Sequence, residues 1–224
     1  MFSLYVTGTD TGIGKTLASC ALLHALRAHG LRAAGMKPVA SGCASTAGQW
    51  QNEDALALQA AGASGVAYAD INPFALEHPL APELAARDAG TEVALPPILR
   101  AYARLAAQSD ALVVEGVGGW AAPLSACLMQ ADLVRALRLP VLLVVGLRLG
   151  CLNHALLSAR AIAADGMHLA GWIASHVDPR MARVDDNLAM LRARLPAPCW
   201  GVLPHAVAPD PAALARQLRL PMEA

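Results

Sequence analysis

Gly8-Thr9-Asp10-Thr11-Gly12-Ile13-Gly14-Lys15-Thr16 stands between the apolar run Leu4–Thr7 and a segment, Lys15–His29, whose Leu22, Leu23 and Leu26 share one helical side. A glycine-rich turn that leaves a strand and opens a helix is the setting of a phosphate-binding loop. Small residues let successive backbone N–H groups turn inward, and the helix start adds positive partial charge. Lys15 can then reach the β and γ phosphates of a nucleotide, and the Thr16 hydroxyl can ligate magnesium. Five residues, not the usual four, separate Gly8 from Gly14. The bland alternative is a glycine-rich turn with a surface lysine. Gly-Lys-Thr at the helix start weighs against it.

Outward from this loop, short apolar runs alternate with segments of helical period, the pattern of βαβ units and a parallel sheet. The expected strands are Leu4–Thr7, Ala33–Met36, Ala111–Glu115, Val141–Val145, Ala170–Ser175 and Cys199–Leu203, with a weaker seventh near Asp70–Phe74. The expected helices are Lys15–His29, Asp54–Ala61, Pro82–Asp88, Pro97–Gln108, Asn153–Asp165 and Met181–Arg194. This predicts an α/β fold: a doubly wound, mostly parallel sheet of about seven strands with helices on both faces. No composition break or linker divides the chain, so residues 1–224 are expected to form one domain. Ser41–Gln51 reads as a long loop without structure of its own, a kind of segment that more often carries function than not.

Composition narrows the function classes. Of 224 residues, 56% are hydrophobic and 15% charged, against a usual charged share of about 25%. So thin a polar coat excludes a disordered chain and points to apolar surface covered by a partner subunit. Seventeen basic residues balance seventeen acidic ones, which leaves no electrostatic case for a nucleic-acid or membrane-surface protein. The longest apolar run, near Val141–Val145, is far short of the ~18 residues of a spanning helix. The start Met1-Phe2-Ser3-Leu4-Tyr5-Val6 has no basic stretch and runs into the motif, so no signal peptide is readable. Cys20, Cys43, Cys127, Cys151 and Cys199 form no Cys-x-x-Cys pair and read as scattered buried thiols of a cytoplasmic protein.

Three further stretches carry candidate chemistry. Met36-Lys37-Pro38-Val39-Ala40-Ser41-Gly42 lies at the carboxyl end of the second strand, the edge where open α/β sheets bind ligands. Lys37 there could neutralise a transferring phosphoryl group and Ser41 could orient a substrate, although a solvated strand-end lysine is the commoner case. Asn52-Glu53-Asp54-Ala55 opens a helix, where Asp54 alone would be an ordinary dipole partner. The run Ala111–Glu115 followed by Gly116-Val117-Gly118-Gly119-Trp120 is a buried strand ending in an acid and a turn. A carboxylate at that edge can hold magnesium, and glycines let backbone approach phosphate.

Taken together, Gly8–Thr16, Lys37–Gly42, Asp54-Ala55-Leu56 and Glu115-Gly116 with Gly118-Gly119-Trp120 resemble dethiobiotin synthetase, whose own loop variant has the Gly8–Gly14 spacing. The resemblance continues through Pro123-Leu124, Gly150–His154 and Gly171-Trp172, nearly the whole chain in order. It implies ligation of 7,8-diaminononanoate and CO2 at the expense of MgATP, through a carbamate and a carbamic–phosphoric anhydride. It also implies residue roles. Gly12, Ile13, Gly14, Lys15, Thr16 and Leu17 would bind ATP, with Asp54, Glu115, Gly116, Val117 and Gly118. Thr16, Asp54 and Glu115 would hold Mg2+, and Lys37 with Lys15 would be catalytic. Thr11, Lys37 and Ser41 would meet the substrate, whose carboxylate tail would reach Gly150, Cys151 and Asn153 of the other subunit in a homodimer. Adenine would lie near Ser175, His176, Pro204, His205 and Ala206, where Ala174-Ser175-His176-Val177 departs from the family's asparagine-plus-acid pattern. Partition-type ATPases share such a sheet but usually carry a second lysine early in the loop, where this chain has Gly8-Thr9-Asp10. An amidotransferase-coupled ligase would need a glutaminase partner.

Overall fold

The structure, a computed structural model, describes residues 1–221. Six parallel strands form the central sheet: β1 (Phe2–Gly8), β2 (Ala33–Met36), β3 (Ala111–Glu115), β4 (Val141–Leu147), β5 (Leu169–His176) and β6 (Cys199–Leu203). Their spatial order is β6-β5-β4-β1-β3-β2, so the phosphate-loop strand lies inside the sheet between β3 and β4. Register aligns Val6 with Glu115 and Gly8 with Val144, which brings the carboxyl ends to one edge.

Side chains alternate along each strand between two cores. Leu4, Val6, Val113, Leu142 and Val144 pack under α1 (Lys15–Ala28) and Leu58 of α2 (Glu53–Ala61). Tyr5, Leu112, Val114, Leu143 and Val145 face the opposite layer. That layer comprises α3 (Leu95–Ala106), α4 (Gln130–Leu137), α5 (Cys151–Ala164) and α6 (Val184–Arg194). Strands buried on both faces read as continuous apolar runs, and this pattern made them visible in the sequence. Among the described residues no helix is long and apolar enough to cross a membrane.

Three expectations are corrected and one helix is added. The weak seventh strand is absent from the central sheet: Tyr68–Ile71 is a helical turn, and Phe74–Leu76 pairs in parallel with Val39–Ser41 as a separate ribbon. Ser41–Gln51 is not structureless, because Ala44–Thr46 and Gln49–Gln51 form an antiparallel hairpin. Its turn, Ala47-Gly48, has positive φ at both residues, the twist that a two-residue hairpin turn requires. Helix α4 carries no expectation at all. Finally, Cys127 is exposed and Cys199 half-buried, whereas Cys20, Cys43 and Cys151 are buried as expected.

Candidate active site

The loop Gly8–Thr16 is fixed at both ends by the sheet. Thr9 N–H donates to Val144 O at 3.0 Å, and Gly146 N–H donates to Thr9 Oγ1 at 3.3 Å. Ile13 is buried, and its Cγ2 would lie 2.6 Å from a Cβ on Gly146; only a glycine on β4 admits it. The Ile13 side chain therefore anchors the loop, and its backbone alone is available to a phosphate. Gly14, with φ 84°, precedes α1 and would bring a Cβ within 2.5 Å of Ser175 Oγ. Leu17, in the first turn of α1, packs against the core beneath that helix.

Two lysines and two acids converge at this edge. Lys15 Nζ donates to Asp10 O at 2.8 Å, so the loop's own carbonyl holds the ammonium. Burial, reinforced by the nearby Lys37 charge, pulls the Lys15 pKa down to about 8. Lys37, 3% exposed, leaves the end of β2 and donates to Glu115 Oε1 at 2.6 Å and Asp54 Oδ2 at 2.8 Å. Burial opposes its charge, yet Glu115 and then Asp54 hold its pKa above the usual value. Burial likewise opposes the Asp54 carboxylate, but the Lys37 charge keeps its pKa below the ordinary range. Thr16 Oγ1 donates to the same Glu115 Oε1 at 2.8 Å.

Supporting residues explain why the chain meets here. Asn52 caps α2, its Oδ1 accepting from Asp54 N–H at 3.0 Å, which fixes the first turn and Asp54 with it. Asn72 Nδ2 donates to Lys37 O at 2.7 Å and Phe74 O at 3.2 Å, holding the backbone of the lysine. Tyr68 joins the two asparagines: its hydroxyl accepts from Asn52 N–H at 2.8 Å and donates to Asn72 Oδ1 at 3.1 Å. Neither asparagine was assigned a role from sequence. The signals were present, in an Asn before two acids and in the turn dipeptide Asn72-Pro73.

These groups open into a cavity of about 380 Å³ lined by Thr11, Gly12, Gly14, Lys15, Thr16, Lys37, Ala40, Ser41, Asn52, Asp54, Val117 and Gly118. A second hollow of about 660 Å³ shares Thr11, Ser41, Val117 and Gly118 and extends along Pro79, Leu80, Pro82 and Pro123. Gly150, Cys151 and Asn153 line neither. They open α5, where Cys151 is buried in the core and Asn153 is exposed. Arg148, just before them, pairs with Asp10 of the phosphate loop.

Ser175 and His176 end β5, and Pro204, His205 and Ala206 follow β6 at the same edge. The rings of His176 and His205 meet edge-on with centroids 6.2 Å apart. Ser175 is buried, whereas Pro204, His205 and Ala206 are exposed.

The donor set suits a small, hard divalent cation. Glu115 Oε2 is buried with no hydrogen-bond partner, and Thr16 Oγ1 and the Asp54 carboxylate lie in the same cluster. Among the described residues no group of three or more His, Cys, Asp or Glu side chains gathers into an all-protein cage. Two carboxylates with a hydroxyl match magnesium, which keeps waters and completes its shell with substrate phosphates.

Comparison with known proteins agrees with this geometry. The family model described as an AAA domain matches residues 3–211. The chain is 64% identical over 219 residues, 98% of each chain, to the ATP-dependent dethiobiotin synthetase BioD of Xanthomonas euvesicatoria pv. vesicatoria (strain 85-10). It is 62% identical over 218 residues, 96% of each, to the protein of the same name from Xylella fastidiosa (strain 9a5c). Among solved structures, the MinC:MinD cell division protein complex of Aquifex aeolicus superposes with a TM-score of 0.55 at 14% identity, covering 92% of this chain and 83% of that one. At that identity the likeness concerns the phosphate-loop fold alone.

Proposed function

The chain belongs to the dethiobiotin synthetase family and is an ATP-dependent ligase of biotin biosynthesis; from that premise we propose how its residues close the ring. In this reading residues 1–224 work as one cytoplasmic phosphate-loop domain that pairs into a homodimer. The observation that carries it is the Lys37 ammonium, buried between Glu115 and Asp54 beside the phosphate-loop lysine.

One amine of 7,8-diaminononanoate adds to CO2, forming an N–C bond and losing a proton to give a carbamate. A carbamate oxygen then attacks the γ-phosphorus of ATP, and the bond to the ADP oxygen breaks. The second amine attacks the carbamoyl carbon of the resulting anhydride, phosphate leaves, and the cyclic urea closes. The protein's task is to bring two anions together and stabilise the charge that moves between them.

Lys15 and the N–H groups of Gly12, Gly14 and Thr16 take the phosphates. Thr16, Asp54 and Glu115 would hold magnesium. Such an ion would supply charge neutralisation. Lys37 donates to the carbamate and the transferring phosphoryl oxygens. Thr11 and Ser41 orient the diamine, whose aliphatic chain suits the hollow along Pro79, Leu80 and Pro82. Ser175, His176, Pro204, His205 and Ala206 receive the base.

The substrate's carboxylate tail is assigned to Gly150, Cys151 and Asn153 of a second subunit, at the start of the long helix α5. Exposed Leu149 (96%) and Leu157 (53%), which flank that start, support a covered surface there. Mixing the inactive variants Lys37→Met and Asn153→Asp should restore about a quarter of wild-type activity, through heterodimers with one intact site. A fully active monomer in light scattering would remove the shared site. The reaction itself is tested with 13C-bicarbonate: the label should appear in the urea carbon of the product, one phosphate per ring. Phosphate released without labelled product would refute the reading.

A further inference from the structure

A buried amide lies beneath the turn that follows Glu115. Gln130 opens α4 with no solvent exposure. Its Oε1 accepts from Val117 N–H at 2.9 Å, and its Nε2 donates to Gly119 O at 2.9 Å and to Thr7 Oγ1 at 3.2 Å. One side chain thus ties both ends of the glycine turn to the strand that leads into the phosphate loop. From the other direction, Gly116 N–H donates to Val6 O at 2.9 Å. Gly116 is pressed so closely on the amide that a Cβ there would lie 2.5 Å from Gln130 Oε1. The turn's Val117 and Gly118 face the cavity.

An aliphatic side chain of the same length would fill the space under the turn. What it would lack is a donor and an acceptor for three groups, the buried Thr7 hydroxyl and the half-buried backbone of Val117 and Gly119, and leaving them without that partner is costly. We infer that Gln130 is a positioning residue, which holds the Glu115–Gly119 turn in register with the phosphate loop so that the Glu115 carboxylate and the turn's backbone meet the metal-bound phosphates. It touches neither nucleotide nor diamine. The inference rests on the reading of Glu115 and Gly116–Gly118 as the nucleotide-facing turn.

The test compares Gln130→Met with wild type in three measurements: MgADP affinity by titration calorimetry, the Mg2+ dependence of phosphate release, and thermal unfolding. A positioning role predicts a MgADP Kd and a half-saturating Mg2+ concentration raised roughly 10–100-fold, the usual range for residues that orient a metal's ligands. Turnover at saturating Mg2+ and nucleotide should stay within about threefold, which separates a lost ground-state alignment from a lost catalytic group. A lowered melting temperature with unchanged Kd and Mg2+ dependence would overturn the inference and leave Gln130 a packing residue. Should Gln130→Met not fold, Thr7→Val removes one of the amide's three partners and should shift both dependences about threefold in the same direction; no shift would overturn it equally. Wild-type protein that fails to ligate the diamine would break the proposed function while leaving the MgADP comparison readable.

Discussion

The phosphate end of the site and the proposed base end are built from opposite materials. At the phosphate end, Lys15, Lys37 and Glu115 are buried, and each is held by at least one hydrogen bond to a group from another part of the chain or loop. At the base end, His205 is exposed and touches the other elements through a ring contact and a 3.3 Å approach to His176 O. Buried, ion-paired charges fix geometry strongly because any rearrangement strands one of them. An exposed imidazole such as that of His205 imposes little. The difference teaches that affinity and rate should both originate at the phosphate end, which every nucleoside triphosphate reaches in the same way, and that selectivity among bases should be weak.

The sharpest way to break that contrast is Lys37→Met. Removing the cation from the reacting edge should lower turnover by about 10²–10³-fold, the size of a lost charge-stabilising donor, while MgADP affinity changes little. Near-normal turnover at saturating substrates would reassign Lys37 to structure.

A smaller loss is expected from Glu115→Gln, which keeps the shape but removes the charge next to Thr16 and Lys37. The Mg2+ concentration needed for half-maximal phosphate release should rise roughly 10–100-fold. Chelation of divalent ions should abolish turnover of the wild type and be reversed by added Mg2+. Asn72→Ala, which frees the Lys37 carbonyl, should cost about tenfold in kcat/KM with the Mg2+ dependence unchanged, since it loosens the lysine and not the acids.

The last effect belongs to the proposed base end. An asparagine side chain can pair with adenine as donor and acceptor at once; Ser175 is too short for both contacts, and His176 offers its two nitrogens on opposite sides of a ring. About 1–3 kcal/mol of base discrimination should be missing, by analogy with bidentate base contacts elsewhere. Relative kcat/KM values for ATP, GTP and CTP check this. A preference for ATP above a thousandfold would show that backbone near Pro204–Ala206 reads the base instead.

The same contrast explains what was legible in the sequence. Ala33–Met36, Ala111–Glu115 and Cys199–Leu203 are strands at the expected residues, because the strands of a parallel sheet covered by helices announce themselves as short apolar runs between turns. Phe74–Leu76 is too short to show a period, and it pairs with Val39–Ser41, far away in sequence. Helix α4 has only eight residues, and its start is closed by Asp132 Oδ2 accepting from Met129 N–H, not by a conventional cap residue. The phosphate loop and Glu115 were legible by type and spacing, whereas Lys37 and Asp54 gained their roles only through the family resemblance; the fold brings them together. Gln130, Asn52 and Asn72 were not assigned, because their roles exist only in contacts between distant segments: no local pattern tells a buried amide from a solvated one.

The most direct measurement of the central claim is phosphate release from MgATP by the purified wild-type protein, with 7,8-diaminononanoate and bicarbonate omitted one at a time. The account predicts rapid release only when both are present, because the γ-phosphoryl group has no acceptor until the carbamate forms. Release at the full rate with either one missing would mean that the Lys37–Glu115–Asp54 cluster serves a simple nucleotide hydrolase, and would contradict it.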